Sequence, residues 1–554
     1  MRTVADTLAQ ILLEYGIETV FGLPGGASLP MLAALRRADI AFVLVRNESS
    51  AVYMADVTAR LTGKPGVCIT TLGPGATNAL AGVSHAYLDR APVLIITADF
   101  PESVLGRHTH QVLDLQAVFR PMSKYTARLT PADAKQQIRH ALDLTMAGRP
   151  GPVHLSLTGA DAEATVTDSG KKILIAHPAP RVRIAGVGRA DMAEQINLAE
   201  AEALLAQARR PVIVTGVGLE PERPYAELRM LAEALHAPLI DTPKSKGALP
   251  NDHPLFAGTI GLMQSDPAYA ILDEADCIIA IGFDVVELVR IWDYTTPLIW
   301  VAPWTNADPR IAAACELVGE MGPTLINITQ LTQLTQPANQ SAPDWGEQRV
   351  ALFREALAAR PLPNPAPGRL LPQQVLHAIR QVAPRDTLIT TDIGSHKILA
   401  ALEWPAYTPN RYMVSNGLSA MGFGVPAAIA AAMNLQQPVV SITGDAGFGM
   451  VIGELSLLTE YNLPLIIVVM NDAALDLIRA KQQRRNERIY GTEFTNPNFG
   501  DIARAFGLHY QQVATQTACQ NALRTAIAHP KPTLIDALID PISYPTTPGQ
   551  GGQP

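Results

Sequence analysis

Short apolar runs closed by glycine, proline or polar clusters alternate along this chain with longer stretches of three-to-four-residue periodicity. Strands that feed helices give this pattern, because buried parallel strands are apolar throughout while their covering helices are apolar on one face. Residues 3–15 have helical spacing, and 19–26 reads as a strand breaking into the turn Pro24-Gly25-Gly26. Further strands are predicted at 41–46, 66–71, 93–98 and 153–157. A second series follows at 211–215, 238–241, 277–282 and 298–301, and a third at 387–391, 412–415, 439–443, 465–470 and 533–538.

The pattern implies an α/β fold of three doubly wound parallel-sheet domains, 1–165, 189–334 and 368–542. Residues 166–188 and 335–367 read as linkers, the second with a short helix near 345–359, and 543–554 as a flexible tail. No sequence period relates the units. The middle one shows no charged cluster at its strand ends. Its Gly216-Val217-Gly218 is too short for a dinucleotide fingerprint, so that unit reads as structural or as a vestigial nucleotide fold.

Composition narrows the class. With 554 residues, 48% hydrophobic, 17% charged and 5% aromatic, the chain can bury several cores rich in small aliphatic side chains. A net charge of −8 argues against a nucleic-acid or anionic-membrane surface, so an anionic ligand must be held by local geometry. No signal peptide or membrane-length apolar run is seen. The four cysteines lack metal spacing and read as core thiols, which fits a cytoplasmic protein.

Candidate chemistry gathers where predicted strands end in glycine turns. Gly444-Asp445-Ala446-Gly447 ends one strand and Asn471-Asp472 the next parallel one, so oxygen ligands and free N–H groups meet at one sheet edge. Magnesium bridging a diphosphate is the economical reading, although Gly-Asp-Ala-Gly alone also suits a plain turn. Glu48 stands at a strand end before an apolar helix; taken alone it reads equally as a helix-start carboxylate favoured by the dipole. Two more glycine turns are Gly73-Pro74-Gly75-Ala76-Thr77-Asn78 and the run 416–426, in which Met421 could wedge beneath a ligand.

In this order the motifs resemble thiamin diphosphate enzymes of the acetolactate synthase type. The matching stretches are Phe-Gly-Leu-Pro-Gly-Gly (21–26), Arg-Asn-Glu (46–48), 73–78, Ala-Tyr-Leu-Asp (86–89), Thr-Asp-Ile-Gly (391–394), 420–428 and Gly-Asp-Ala-Gly-Phe (444–448). The resemblance implies a pyrimidine-binding domain, a middle domain and a diphosphate-binding domain, with active sites between subunits of a homodimer or homotetramer. It implies thiamin diphosphate and Mg2+ as cofactors and a small 2-keto acid as substrate. Glu48 matches the carboxylate that hydrogen-bonds the pyrimidine ring and makes its amino group a base, and Met421 matches the wedge that bends the cofactor. Gly25, Gly73, Asn78, Ser395, His396, Ser419, Gly444, Ala446 and Gly447 fall at cofactor-contacting positions. Asp445, Asp472 and the Ala474 carbonyl fall at the metal ligands, and most relatives carry asparagine where this chain has Asp472.

Substrate positions depart from relatives of branched-chain synthesis. Thr109-His110-Gln111-Val112, the run Gly282-Phe283-Asp284-Val285-Val286-Glu287, and Lys481 replace their motifs; of those motifs only Gln111 survives. This speaks against FAD and for similarity to flavin-free catabolic acetolactate synthases and carboxyethylarginine synthase. His110 and Gln111 would then face the substrate, His110 relaying protons or sitting as a plain loop histidine; His108 is a weaker candidate. Arg479 and Lys481 read as a solvated helix face or as cations at the entrance, and 486–498 as a lid. The function that the resemblance implies is decarboxylation of a small 2-keto acid, pyruvate by default, with carboligation to a second carbonyl to give acetolactate; the alternatives are a non-ligating 2-keto acid decarboxylase and a cofactor-binding protein without turnover.

Overall fold

Each series of apolar runs becomes one parallel sheet. The computed structural model describes residues 2–107, 110–167, 190–335 and 342–545, and contains three six-stranded sheets. The first comprises β1 (Thr19–Leu23), β2 (Ala41–Leu44), β3 (Gly66–Thr70), β4 (Val93–Asp99), β5 (Tyr125–Arg128) and β6 (Val153–Thr158), in the order β2-β1-β3-β4-β6-β5. The second comprises β7 (Pro211–Thr215), β8 (Leu239–Asp241), β9 (Phe256–Thr259), β10 (Cys277–Ile281), β11 (Leu298–Ala302) and β12 (Cys315–Val318), in the order β12-β11-β10-β7-β8-β9. The third comprises β13 (Ile389–Thr391), β14 (Tyr412–Val414), β15 (Val439–Gly444), β16 (Leu465–Asn471), β17 (His509–Val513) and β18 (Thr533–Leu538), in the order β14-β13-β15-β16-β18-β17. The first and third orders are the same when counted from their own first strands.

Four strands escape the apolar pattern, and all four lie at sheet edges: β5, β9, β12 and β17. An edge strand has one neighbour and needs no continuous apolar run, as the half-buried Tyr125–Arg128 and the largely exposed His509–Val513 show. The stretch read as a second linker carries helix Glu347–Ala358, whose Val350 and Phe353 join Trp345 in a core with Phe283 and Trp300 of the middle unit. Residues 168–189, most of the first expected linker, lie outside the described residues, as do 336–341 and the tail from 546.

Reversals of strand order place the sites. Each sheet reverses direction between its first strand and the strand on its other side, and the loops leaving those two strands enclose a crevice at the carboxyl edge. In the first sheet these are the loops after β1 and β3, which carry Gly25 and Gly73; in the third, those after β13 and β15, which carry Asp392 and Asp445. The middle crevice is filled from within. Glu287, 3% exposed, accepts the Val217 N–H at 2.7 Å and the Lys244 N–H at 3.1 Å, and burial pushes its carboxyl up to about 7. Asp241, Lys244, Lys246 and Asp284 are also at that edge or on its loops, contrary to the uncharged strand ends expected. These charges fall in two short stretches, 241–246 and 284–287, and only the sheet brings the two together.

One core joins the first and third units. Helix Glu48–Thr62 starts at Asn47, whose side chain accepts the Ser49 N–H, and ends at the left-handed Gly63. Its Ala51, Val52 and Ala55 share a cluster with Val425, Ala428 and Ala431 of helix Gly424–Leu435, where small side chains permit close approach. Behind that helix β3 comes so near that a Cβ on Gly66 would meet the Ala55 carbonyl oxygen and lie 2.6 Å from its carbon. Gly66→Ala should therefore cost about 1–3 kcal/mol through overpacking. A lowered thermal midpoint measures this; an unchanged midpoint would show that the helix can shift.

Candidate active site

The carboxyl edge of the third sheet holds a cavity of about 160 Å³. It is lined by the loops after β13, β15 and β16, by Met421, and by Tyr544 from beyond β18. Helices Ser395–Glu403 and Asp445–Met450 both begin at it, so the N–H groups of their first turns that have no carbonyl partner offer a place for an anion. Gly444, Ala446, Gly447, Ser395 and His396 all line it.

Three carboxylates converge here. Asp445, 3% exposed, accepts the Ala446 N–H at 2.9 Å, the Ala473 N–H at 2.7 Å and the Asn496 amide at 2.7 Å. Asp476 accepts the Ser395 hydroxyl at 2.7 Å and an Arg479 N–H at 2.9 Å. Asp472 Oδ2 is buried without a hydrogen bond, its nearest cation being Arg479 at 3.6 Å. Burial, with the Asp445 and Asp476 charges beside it, pushes the Asp472 carboxyl up to about 7. This is the electrostatic profile of a site short of a cation. No cluster of three His, Cys, Asp or Glu side chains in metal-holding geometry exists among the described residues. Two carboxylates and the nearby Ala474 carbonyl would instead leave the remaining shell to phosphate oxygens and water, the usual condition of magnesium. The residues fit such a group.

Other buried groups shape the same cavity. His396 is 6% exposed rather than on the surface; burial takes its imidazole down to about 4, and its Nε2 has no hydrogen bond. Asn471 is a supporting amide, donating to Asp536 at 2.8 Å. Arg479 faces the carboxylates rather than solvent. The segment expected as a lid is already tied down at one end: Leu475 donates to the Thr492 carbonyl at 2.7 Å and Phe494 to that of Ala473 at 3.1 Å, while Tyr490 is 82% exposed.

The loop that bears Ser419 and Met421 is pinned at both ends by buried carboxylates. Asp392, fully buried and pushed up to about 6 by that burial, accepts the Gly422 N–H at 2.9 Å. Asp89, from the first unit, accepts the Asn416 N–H at 2.8 Å and pairs with Lys244 of the middle unit at 2.9 Å. Between these anchors Ser419 takes a φ of +57, and Lys397 donates to its hydroxyl at 2.9 Å. A non-glycine residue held left-handed beside a cavity is a strained conformation that the surrounding bonds maintain.

The remaining candidates stand at the first sheet's carboxyl edge. Glu48 is 3% exposed, and a Cβ on Gly75 would lie 3.2 Å from its carboxylate. Glu454, just after the Gly-Asp motif, accepts the Arg46 N–H through both oxygens at 3.1 Å and so holds the turn before Glu48. Gly73 has a φ of +57 and lies against Gln111, itself at +62. His110 and Gln111 are exposed, Gly25 is half-buried beside Thr71, and Asn78 is exposed with its carbonyl accepting the Ser49 hydroxyl. His108 lies outside the described residues. None of these first-unit residues lines the cavity of the third unit.

Residues 2–118 match the family described as thiamine pyrophosphate enzyme, N-terminal TPP binding domain; 198–327 match its central domain and 392–537 its C-terminal TPP binding domain. The chain belongs to the thiamine pyrophosphate enzymes. It is an acetolactate synthase-like, thiamin-diphosphate-dependent enzyme. A probable acetolactate synthase large subunit of Methanocaldococcus jannaschii is 30% identical, covering 97% of this chain and 92% of its own length. The acetolactate synthase large subunit of Lactococcus lactis is 29% identical with the same coverage. A probable 2-ketoarginine decarboxylase of Pseudomonas aeruginosa is 30% identical over 96% of this chain and 93% of its own length.

Sequence reasoning missed Asp476, Asn496, Glu454 and Tyr544, each single and without a motif; the sole signal was their position after predicted strands or within the supposed lid. If Asp472 is a ligand, Asp472→Asn should keep magnesium-dependent binding of thiamin diphosphate while removing one charge. Asp445→Asn, which upsets three hydrogen bonds, should weaken it by about tenfold or more. Calorimetric titration separates the two, and complete loss in Asp472→Asn would mean that the second ligand lies elsewhere.

Proposed function

We propose that this enzyme decarboxylates a small 2-keto acid, pyruvate by default, and ligates the resulting acyl unit to a second carbonyl, with magnesium and thiamin diphosphate as cofactors. The observation that carries this reading is the unpartnered Asp472 oxygen among three carboxylates, in a cavity that two helix N-termini also face. A divalent cation relieves the one charge and an attached diphosphate takes the N–H groups. Asp445, Asp472 and the Ala474 carbonyl would hold the metal; Ser395, His396 and the backbone at 444–447 would hold the diphosphate. When bound, thiamin diphosphate supplies a carbon centre that adds to the keto group and accepts the electrons released as carbon dioxide leaves.

The chain's own groups do the rest. Met421, on a loop fixed by Asp392 and Asp89, supports the cofactor from beneath. Glu48, buried at a helix start, would hydrogen-bond the pyrimidine and hold the proton that its amino group exchanges. The family resemblance sets the complete centre between the first unit of one protomer and the third unit of its partner, and the absence of Glu48 from the cavity of its own third unit supports that reading. A homodimer is then the smallest working assembly, and a homotetramer doubles it. His110 and Gln111, exposed on the Glu48 side, would face the substrate across that boundary.

No flavin is proposed, because Glu287 already occupies the middle crevice with a carboxylate bonded to the glycine-turn N–H. The four cysteines are free and buried, which suits a reducing cytoplasm. Among the described residues no helix is long and apolar enough to cross a membrane. Similarity to a 2-ketoarginine decarboxylase keeps a non-ligating decarboxylase as the second reading.

Incubation with pyruvate, magnesium and thiamin diphosphate distinguishes them: acetolactate is expected, and acetaldehyde without acetolactate or acetoin would favour the second. Chelation of the metal should abolish turnover. Glu48→Gln should lower kcat by about 10²–10⁴-fold with cofactor binding retained. Unchanged turnover in that variant would refute the assigned role.

A further inference from the structure

The chain leaving the third sheet returns to the cofactor cavity. β18 pairs with β16 through Asn471↔Leu538, and the Ile539 N–H then donates to the Asn471 carbonyl at 3.1 Å, bringing the chain past the sheet edge beside Asp472. The short turn Pro541–Ser543 reverses it, started by Asp540, which accepts the Ile542 N–H at 3.1 Å. Ser543 is then anchored to helix Pro372–Val382: its carbonyl accepts from Gln373 Nε2 at 2.8 Å, and its hydroxyl donates to the same amide. Gln373 is itself 3% exposed, so the anchor is a buried one. These bonds turn Tyr544 into the cavity wall, where it is only 6% exposed. A flexible tail from residue 543 was the expectation; Ser543 is instead anchored to Gln373, and Tyr544 lines the cavity.

The Tyr544 ring would be served as well by phenylalanine if filling space were its task. Its hydroxyl forms no hydrogen bond with any described residue, although Asp445, Asp472 and Asp476 are the charges that act on it. The hydroxyl oxygen keeps access to the cavity that Tyr544 lines, so a ligand oxygen there can accept from it. Asp445 and Asp476 already receive hydrogen bonds from Ala446, Ala473, Asn496, Ser395 and Arg479, which leaves the phenol as a donor facing the cavity interior. The C-terminal family match stops at residue 537, so the resemblance gives this side chain no role.

We infer that Tyr544 is a cofactor-binding residue whose hydroxyl donates a hydrogen bond to an oxygen of the metal-bound diphosphate. The inference rests on the reading of this cavity as the diphosphate site. Calorimetric titration of the full chain and of Tyr544→Phe, each with magnesium thiamin diphosphate and with magnesium pyrophosphate, tests it. The variant should bind both probes about tenfold more weakly, the loss of one hydrogen bond to a charged group, with the thermal midpoint of the ligand-free protein unchanged. Equal affinity of variant and wild type would overturn the role of Tyr544 and leave the cavity reading intact. Weakening confined to thiamin diphosphate would overturn the diphosphate as the group contacted. Wild type that binds neither probe would overturn both the cavity reading and the inference.

Discussion

Mutual repulsion among Asp445, Asp472 and Asp476 is the constraint on which this site turns. Like charges brought together away from water raise each other's proton affinity, and only hydrogen bonds, an arginine or a bound cation offset that cost. Asp445 and Asp476 have their donors and Asp476 has Arg479, but one oxygen of Asp472 has no hydrogen bond. The fold holds this arrangement because two adjacent parallel strands, β15 and β16, end at the same level and release their loops side by side. A cation bound at this edge would stabilise the protein as well as its ligand, and the proposed cofactor binding would then be linked to folding.

The same edge geometry, used three times, serves three different ends. In the third sheet the crevice between the reversing strands is open and acidic; in the first it is lined by glycine turns beside Glu48; in the middle one Glu287 fills it. Buried polar groups then tie the units together, with Asp89 bonded to the Met421-bearing loop and to Lys244, and Glu454 bonded to the turn before Glu48. Within one chain, therefore, the turn before Glu48 and the segment that follows the Asp445 loop are braced against each other, although the proposed function assigns Glu48 and that loop to different centres. Such bracing gives positional accuracy to groups whose reactivity depends on fractions of an ångström.

Glycine turns, strand ends and apolar runs were legible in the chain because each reflects local physics: φ above zero, a carboxylate at a strand end, side chains buried on both faces of a sheet. Glu48, Met421, Asp445 and Asp472 could be named on that ground with the help of a family resemblance. The edge strands β5, β9, β12 and β17 could not, since one-sided pairing places little demand on composition. Nor could the charged middle edge, where Asp241 to Lys246 and Asp284 to Glu287 lie about forty residues apart in the chain and meet only through the sheet.

By itself, then, the sequence determined the three parallel α/β units and the residue types at their strand ends, because those follow from local periodicity and backbone conformation. Tertiary structure alone decided which of those ends form one cavity, that one oxygen of Asp472 has no hydrogen bond, that Arg479 turns inward and that Tyr544 returns to the acidic cavity. Each of these depends on groups far apart in the chain meeting across a sheet edge, and no short-range pattern records such a meeting.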